Sequence, residues 1–266
     1  MWQIILATWK SGLRSRYFYG VALLAVLLVI TAYLASSFSP RAPRTVALDV
    51  GLSGLRISLV LLGLLWVQEA FSREVDRKTV QLLLSYPLRR GDYLMGRFFG
   101  VVSLSAVAAV ALTLALIIAA VAAGLQYEAQ QYLPSLGVAL WVAVFDVWLE
   151  SVVVVAFTVF MSAISTTPML PFVAGAGFAM AGEGLGTALE YVLAGGDRSL
   201  SAANTPILLA IHWLLPDLSR LDWRLWPMYQ TVPDPQSVLW AIVSALCYTG
   251  VLVALAVWAF SRREFS

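Results

Sequence analysis

Four carboxylates lie within long apolar stretches of this sequence, where an ionised group is costly. Asp146 and Glu150 are four residues apart, and Glu183 and Glu190 are seven apart, so each pair falls within about 40° on one helix face. No Lys or Arg shares this depth, because Arg56 falls near a predicted helix end. Such acids normally face a cavity, a partner or other helices. They predict either an acidic surface that attracts a cation or an amine, or acids that are protonated or hydrogen-bonded to neighbouring helices. The residues alone favour the second.

Most other chemistry is excluded by residue type. His212 is the only histidine and Cys247 the only cysteine, so the chain cannot form a disulfide or a metal site of several Cys and His residues. An H-E-x-x-H site needs two histidines, and Asp197 is too isolated for the aspartate pair of a membrane protease. The sequence contains no G-x-x-x-x-G-K-[ST] loop for a nucleotide phosphate. We expect no enzyme activity, no metal and no directly bound cofactor.

The composition indicates a lipid environment. Hydrophobic residues make up 61% of the chain and charged residues 12%, with a mean hydropathy of +0.84, which is more apolar surface than a soluble domain can bury. Crossing a bilayer core takes roughly 20 residues. We predict an all-α integral membrane protein, residues 1–266 forming one transmembrane domain. Its six transmembrane helices are predicted at residues 18–37, 53–71, 98–123, 136–160, 168–194 and 238–260.

Basic residues in the loops predict the orientation. Eleven Lys and Arg residues lie in the N-terminal arm, the loop after the second span and the C-terminal tail, against five on the other side. The positive-inside rule places both termini and that loop in the cytoplasm, and we expect a multi-pass protein of the cell inner membrane. The first span is long enough to remain a membrane helix rather than a cleaved signal. The net charge of +2 does not suggest nucleic-acid binding.

The N-terminal arm, residues 1–17, has an amphipathic pattern. Apolar residues recur there at helical spacing, at Trp2, Ile5, Leu6, Trp9 and Leu13. This pattern predicts an interfacial helix that enters the first span through an elbow. The alternative is that the aromatic residues only anchor the end of the first span.

Two further features concern the predicted spans and the loop before the last one. Residues 195–237 form an extracytoplasmic loop whose apolar core, 207–215, is too short to span, which predicts a re-entrant or interfacial segment. The pair Gly96-x-x-x-Gly100 predicts close helix packing. The glycines of the fifth span predict the same, with a broken helix near Glu183 as the alternative.

The loop at residues 72–97 is longer than a tight turn needs. Its first half is charged, with Arg73, Glu74, Asp76, Arg77 and Lys78. An apolar group at 80–84 follows, and Pro87 ends the helical pattern because its ring cannot continue a helix. The pattern predicts a cytoplasmic helix docked partly on the membrane and partly on a cytoplasmic partner. A solvated loop is the alternative, and periodicity does not separate the two.

The stretch from Glu69 to Arg97 resembles the signature of the type-2 ABC exporter membrane subunits, which are ABC transporter permeases. In that family a Glu is followed by Gly-Thr, Leu-Leu-Ser-x-Pro and Tyr-Leu-x-Gly-Lys. The matching residues here are Glu69, Thr79, Leu82-Leu83-Leu84-Ser85-Tyr86-Pro87, Arg90, Tyr93-Leu94 and Gly96-Arg97. Lys78 replaces the Gly, and Arg97 replaces the final Lys. The N-terminal helix, the six spans and the loop with Leu215-Pro216-Asp217-Leu218 also fit the family.

The resemblance implies a permease subunit of an exporter. Such a chain pairs with a second membrane subunit, expected to be an identical copy, and with two copies of a nucleotide-binding ATPase subunit that holds ATP and Mg. The residues it assigns to coupling with the ATPase are Glu69, Arg73, Glu74, Asp76, Arg77, Thr79, Leu83 and Tyr86. The candidate translocation path contains Asp146, Glu150, Glu183 and Glu190, and the region before the last span closes the outer gate.

An acid-lined secondary carrier or channel for a cation is the alternative function. Inverted repeats would favour it, but residues 1–130 and 131–266 show no convincing repeat. The long cytoplasmic loop occurs in the first half alone. This asymmetry favours a coupling element over a symmetric carrier.

Overall fold

The computed structural model describes residues 2–14, 16–39, 41–76, 90–125, 133–165, 167, 169–193 and 218–262. Within these ranges the chain is helical and contains no strand. The helices are α1 (Trp2–Arg14), α2 (Arg16–Ser37), α3 (Pro43–Asp76), α4 (Arg90–Leu125), α5 (Val138–Ile164), α6 (Leu170–Leu193), a 3₁₀ turn (Leu218–Arg220), α7 (Leu225–Tyr229) and α8 (Pro235–Arg262). The predicted all-α fold is confirmed for this part of the chain.

In the part of the chain that the structure describes, five helices are long and apolar enough to cross a membrane. They contain the stretches Tyr19–Ser37, Pro43–Phe71, Gly91–Leu125, Val138–Ile164 and Pro235–Arg262. A helix suits this environment because it satisfies its own backbone hydrogen bonds in lipid. The five stretches correspond to predicted spans one to four and six. The predicted fifth span coincides with α6, and its role as a sixth crossing stays a prediction.

Leucines on α3 form the centre of the bundle. Leu48, Leu52, Leu55, Leu59 and Leu62 follow one another at spacings of four and three residues, which keep one face of a helix against its neighbours. Each is at most 1% exposed, and they share one buried cluster with side chains of α4, α5 and α8. The cluster fixes α3 within the bundle, and with it the polar residues on the neighbouring stripe of the same helix.

Helix α1 packs on α4 through small and β-branched residues. Ile4 and Thr8 lie over Gly96 and Gly100, and a Cβ built on Gly100 would lie 2.6 Å from the Thr8 Cβ. A larger side chain there would force the helices apart. The close helix contact predicted from the glycine pair is therefore confirmed, with α1 as the partner.

The apolar stripe of α1 is only partly used in this contact. Trp9 Nε1 donates a hydrogen bond to Ser103 Oγ of α4 at 2.7 Å. Trp2 and Leu6, in contrast, are exposed. Their face of α1 is available to a bilayer surface, and the interfacial placement of residues 1–17 stays a prediction.

Several predicted boundaries shift because two helices are longer than their apolar cores. Helix α3 begins at Pro43, ten residues before the predicted span, and continues to Asp76, while α4 begins at Arg90. Both ends of the predicted loop 72–97 are thus helical, and residues 77–89 lie outside the described part. Helix α6 runs unbroken through Glu183, so the alternative of a helix break there is wrong.

Helix α8 begins with a side-chain cap. The Asp234 carboxylate accepts a hydrogen bond from the Ser237 N–H at 3.2 Å, and Pro235 occupies the first helical position, where no N–H is needed. The cap sets where the last span starts, directly after residues 218–229.

Candidate functional site

Residues 218–229, which we call the inserted segment, bury apolar side chains within the bundle. Leu218, Leu221 and Trp223 share a buried cluster with side chains of α5, α6 and α8. Leu218 fits because Gly182 of α6 has no side chain: a Cβ there would lie 2.5 Å from the Leu218 Cδ1. The inserted segment is thus packed into the helices rather than lying over them.

The segment ends in a sharp reversal. Helix α7 stops at Gln230, whose φ of 57° places it in the left-handed region and whose N–H bonds to the Trp226 carbonyl. Such a residue commonly closes a helix and redirects the chain. The reversal leads the chain from the inserted segment towards α8.

The guanidinium of Arg56 on α3 contacts three other elements. Its Nε lies 2.9 Å from Glu150 Oε2 on α5, and its Nη1 donates to Glu183 Oε1 on α6 at 2.8 Å. Its Nη2 donates to the Leu221 carbonyl in the inserted segment at 3.3 Å. The planar guanidinium, with donors on several edges, can make these contacts together. Arg56 therefore joins α3, α5, α6 and the inserted segment.

A second arginine forms a fork with Asp222 inside the inserted segment. Arg224 Nε donates to Asp222 Oδ1 at 2.7 Å and Nη2 donates to Oδ2 at 2.6 Å, the bidentate geometry of strong ion pairs. Arg224 Nη1 also donates to Ser53 Oγ of α3 at 2.8 Å and lies 3.9 Å from Asp49 Oδ1. Arg224 therefore links its pair with Asp222 to α3.

The pairing of Asp222 with Arg224 shifts the pKa of both side chains. Burial raises the pKa of Asp222, but the hydrogen bonds and charge of Arg224, together with the charge of Arg56, lower that pKa below its ordinary value overall. The hydrogen bonds that Arg224 donates to Asp222 in turn raise the pKa of Arg224. Both side chains are thus held in their charged forms.

Asp146 on α5 holds the backbone of the inserted segment. The Trp223 N–H donates to Asp146 Oδ2 at 3.1 Å. Asp146 and Glu150 lie about one turn apart on α5, and each is 1% exposed. One carboxyl therefore binds the segment directly, and the other binds it through Arg56.

An open cleft of about 410 Å³ lies beside this charged cluster, lined by Arg56, Met180, Glu183, Gly184, Ser219, Asp222 and Arg224. The Glu183 side chain is 44% exposed, whereas that of Glu150 is 1% exposed. Carboxylates outnumber guanidinium groups in the cluster, so its ionised form carries net negative charge. In the described residues no group of three or more His, Cys, Asp or Glu side chains is arranged to hold a metal ion.

Comparison with known families gives the class of protein. A family model described as ABC-2 family transporter protein matches residues 2–265. The chain belongs to the ABC-2 family. The resemblance inferred from residues 69–97 is thereby confirmed over nearly the whole sequence.

Two curated relatives of this ABC-2 chain are both described as probable ABC transporter permease protein NosY. One is from Stutzerimonas stutzeri, with 35% identity over 106 residues, and one from Pseudomonas aeruginosa, with 32% identity over 106 residues. Each match covers 38% of this chain and 38% of the relative. The similarity spans well under half of either relative, so their activities and partners are not carried over by it.

In this ABC-2 chain the four predicted acids have different surroundings. Asp146 and Glu150 are buried and contact neighbouring elements, while Glu183 lies at the cleft. The Glu190 side chain lies outside the described part. The expectation that no Arg shares their depth is wrong, because Arg56 lies inside α3 and contacts Glu150 and Glu183.

The structure describes few of the residues assigned to coupling. Glu69 is buried in α3, at 9% exposure, so its carboxylate is not displayed on the surface of this chain. Arg73, Glu74 and Asp76 belong to the last turn of α3, and their side chains lie outside the described part. Arg77, Thr79, Leu83 and Tyr86 also lie outside it, as do residues 195–217 of the predicted re-entrant loop.

No motif in the sequence predicted the basic and polar half of the site. Asp49, Ser53 and Arg56 occupy positions i, i+4 and i+7, a polar stripe within a largely apolar stretch of α3. Such a stripe indicates a polar partner and was a usable signal. The partners, Asp222 and Arg224, lie more than 160 positions away, and nothing in the sequence pairs them with α3.

Proposed function

We propose that this ABC-2 chain is the transmembrane permease subunit of an ABC exporter, coupling ATP hydrolysis by a separate subunit to substrate movement. The observation that carries the proposal is the family match over residues 2–265. The exporter direction rests on the resemblance of the Glu69–Arg97 stretch. ATP and Mg would bind to the partner, since this sequence contains no phosphate-binding loop of the G-x-x-x-x-G-K-[ST] type.

The lengths of α3 and α4 support coupling through the residues between them. They contain 34 and 36 residues, so each is about 50 Å long at 1.5 Å per residue, against about 30 Å of hydrocarbon core. The excess length of both helices would carry residues 72–97 out of the bilayer. There the charged side chains of Arg73, Glu74, Asp76 and Arg77 would meet the ATPase.

The charge distribution supports placing residues 72–97 and both termini in the cytoplasm of a bacterial cell. The inserted segment then lies towards the opposite face. Packed between α5, α6 and α8, it would close the outer end of the permease. The cleft at Glu183 would lie on the substrate path.

A complete transporter would need two such permease chains and two ATPase subunits. The permease pair is proposed to be a homodimer, because one chain supplies one coupling segment. The carrier or channel alternative has less support than before, since Asp146 and Glu150 are buried and engaged with other groups rather than free in a path.

Affinity purification tests the proposal. The tagged chain, extracted gently from its native membrane, should co-purify an ATPase with a G-x-x-x-x-G-K-[ST] motif. Glu74→Lys and Leu83→Asp should each reduce its recovery at least about tenfold if a segment of this size carries the contact. Gln236→Glu, an exposed charge change at the start of α8, should leave it unchanged.

The outcomes separate two parts of the proposal. Recovery of no ATPase from the native membrane would refute the permease assignment. Full recovery with both Glu74→Lys and Leu83→Asp would refute the coupling role of residues 72–97 and leave the permease assignment standing.

A further inference from the structure

We propose that Arg56 is a latch for the inserted segment, and that the segment leaves the bundle by breaking the Arg56 contacts to Glu183 and Leu221 while Arg56 stays on Glu150. Three edges of one guanidinium hold three elements, at 2.9 Å, 2.8 Å and 3.3 Å. A change in any one contact therefore alters how the other two elements are held.

Burial decides which contact breaks first. The Glu150 side chain is 1% exposed, so parting it from Arg56 would leave a carboxylate without counter-charge in a dry environment, which is strongly unfavourable. The Glu183 side chain is 44% exposed, and water can replace the guanidinium there at little cost. The contact that breaks first is therefore the one between Arg56 and Glu183 of α6, beside the cleft.

The other hydrogen bonds and ion pairs of the inserted segment also allow it to leave the bundle. Asp222 and Arg224 form their fork within the segment, so the two charges leave together and neutralise each other. The hydrogen bonds from Trp223 N to Asp146, from Arg224 to Ser53 and from Ser135 N to the Pro227 carbonyl are then broken. Release also separates Arg56 Nη2 from Asp222 Oδ1, 4.0 Å away, and Arg224 Nη1 from Asp49 Oδ1, 3.9 Å away.

Release of the segment would expose the acids of the site without changing its net charge, because Asp222 and Arg224 leave together. With the segment in place, Asp146 is covered by Trp223 and the carbonyl of Leu221 faces Arg56. With it removed, three carboxylates, those of Asp146, Glu150 and Glu183, face one guanidinium. The acidic surface predicted from the sequence would therefore form only in the released state, when a path to it is open.

Cysteine labelling in nanodiscs tests the latch without any ATPase and without knowledge of orientation, since both faces are reachable. In a Cys247→Ser background, the buried reporter is Leu221→Cys and the reference is Leu225→Cys, 58% exposed in the same segment. The reporter should react with a polar maleimide at least about tenfold more slowly than the reference, because reaction requires local opening.

Variants of the latch should then raise the reporter rate alone. Glu183→Gln should raise it about fivefold, Arg56→Lys should give an intermediate rise because a point charge cannot reach all three partners, and Arg56→Gln should raise it most. Asp92→Asn, in the first turn of α4, is the control and should have no effect.

The double variant distinguishes a latch from general loosening. If Glu183 acts through Arg56, adding Glu183→Gln to Arg56→Gln changes nothing further. A reporter rate within twofold of the parent in Glu183→Gln, or an equal effect of Glu183→Gln with and without Arg56, overturns the proposal. Because Glu183→Gln leaves the buried pair intact, the test stands even where Arg56→Gln does not fold.

Discussion

Replacing Arg56 by Gln should destabilise the protein far more than replacing its exposed partner Glu183. At 2.9 Å from Glu150 Oε2, and with an effective dielectric constant of about 20, the attraction is about 6 kcal/mol before desolvation is subtracted. Removing the arginine leaves the buried Glu150 carboxylate without its counter-charge. The free energy of unfolding should fall by about 3–5 kcal/mol, the usual loss for a broken buried pair.

The two comparison variants follow from the same geometry. Glu183→Gln should cost about 1 kcal/mol or less, because its pair with Arg56 is exposed to water and screened. Adding Glu150→Gln to Arg56→Gln removes the unpaired charge and should regain most of the loss, since two neutral side chains then occupy the buried position.

Unfolding in mixed detergent micelles measures these differences. The fraction of SDS at the midpoint, followed by far-ultraviolet circular dichroism, should fall sharply for Arg56→Gln and recover in the double variant. Equal losses for Arg56→Gln and Glu183→Gln would refute the argument that burial of Glu150 sets the magnitude. A further loss on adding Glu150→Gln would refute the role of Arg56 as its counter-charge.

Three other changes can be measured by the same unfolding assay. Gly100→Ala should destabilise by about 1–3 kcal/mol, because its Cβ would crowd Thr8, whereas Gly20→Ala, with open space around it, should be neutral or stabilising by up to about 1 kcal/mol. Asp234→Ala should cost about 1 kcal/mol through loss of the α8 cap, and Asp234→Asn should cost little. The lowered pKa of Asp222 means that its charge stabilises the folded state above the ordinary Asp pKa of about 3.9. The advantage of the parent over Asp222→Asn should therefore be constant at higher pH and shrink as the pH falls below that value.

The parts of the fold that depend on local pattern were predictable. Runs of apolar residues predicted the five helices that are long enough to cross a membrane, and the pair Gly96 and Gly100 predicted a close helix contact, because both depend on neighbours along one helix. The glycine pair did not predict which helix packs against it. Ile4 and Thr8 of α1 pack against the glycines, whereas the apolar pattern of α1 predicted contact with the membrane surface.

Only the acidic residues of the site were predictable from the sequence, for a related reason. Asp146, Glu150 and Glu183 were found because an acid in an apolar run is conspicuous in any window of sequence. Arg56 was misplaced because the predicted span began only three residues before it, whereas α3 extends ten residues further towards its N-terminus. Within that extra length Ala47, Leu48 and Leu52 are fully buried. The partners of the polar stripe, Asp222 and Arg224, come from a distant loop.

The length of α3 also has a mechanical consequence. Arg56 and Asp76 lie 20 residues apart on one unbroken helix, a separation of about 30 Å. Side chains of α3 are buried on both sides of Arg56, from Leu48 to Ala70, so the helix would move as one body, and Arg56 lies near the middle of the buried stretch. A tilt of about 5° would then displace the Asp76 end by about 2.6 Å over that 30 Å arm, and the same rotation, delivered from the Asp76 end, would turn the guanidinium of Arg56 relative to Glu183. Helix α3 would therefore convert a displacement of its Asp76 end into a small rotation at the charged cluster around Arg56.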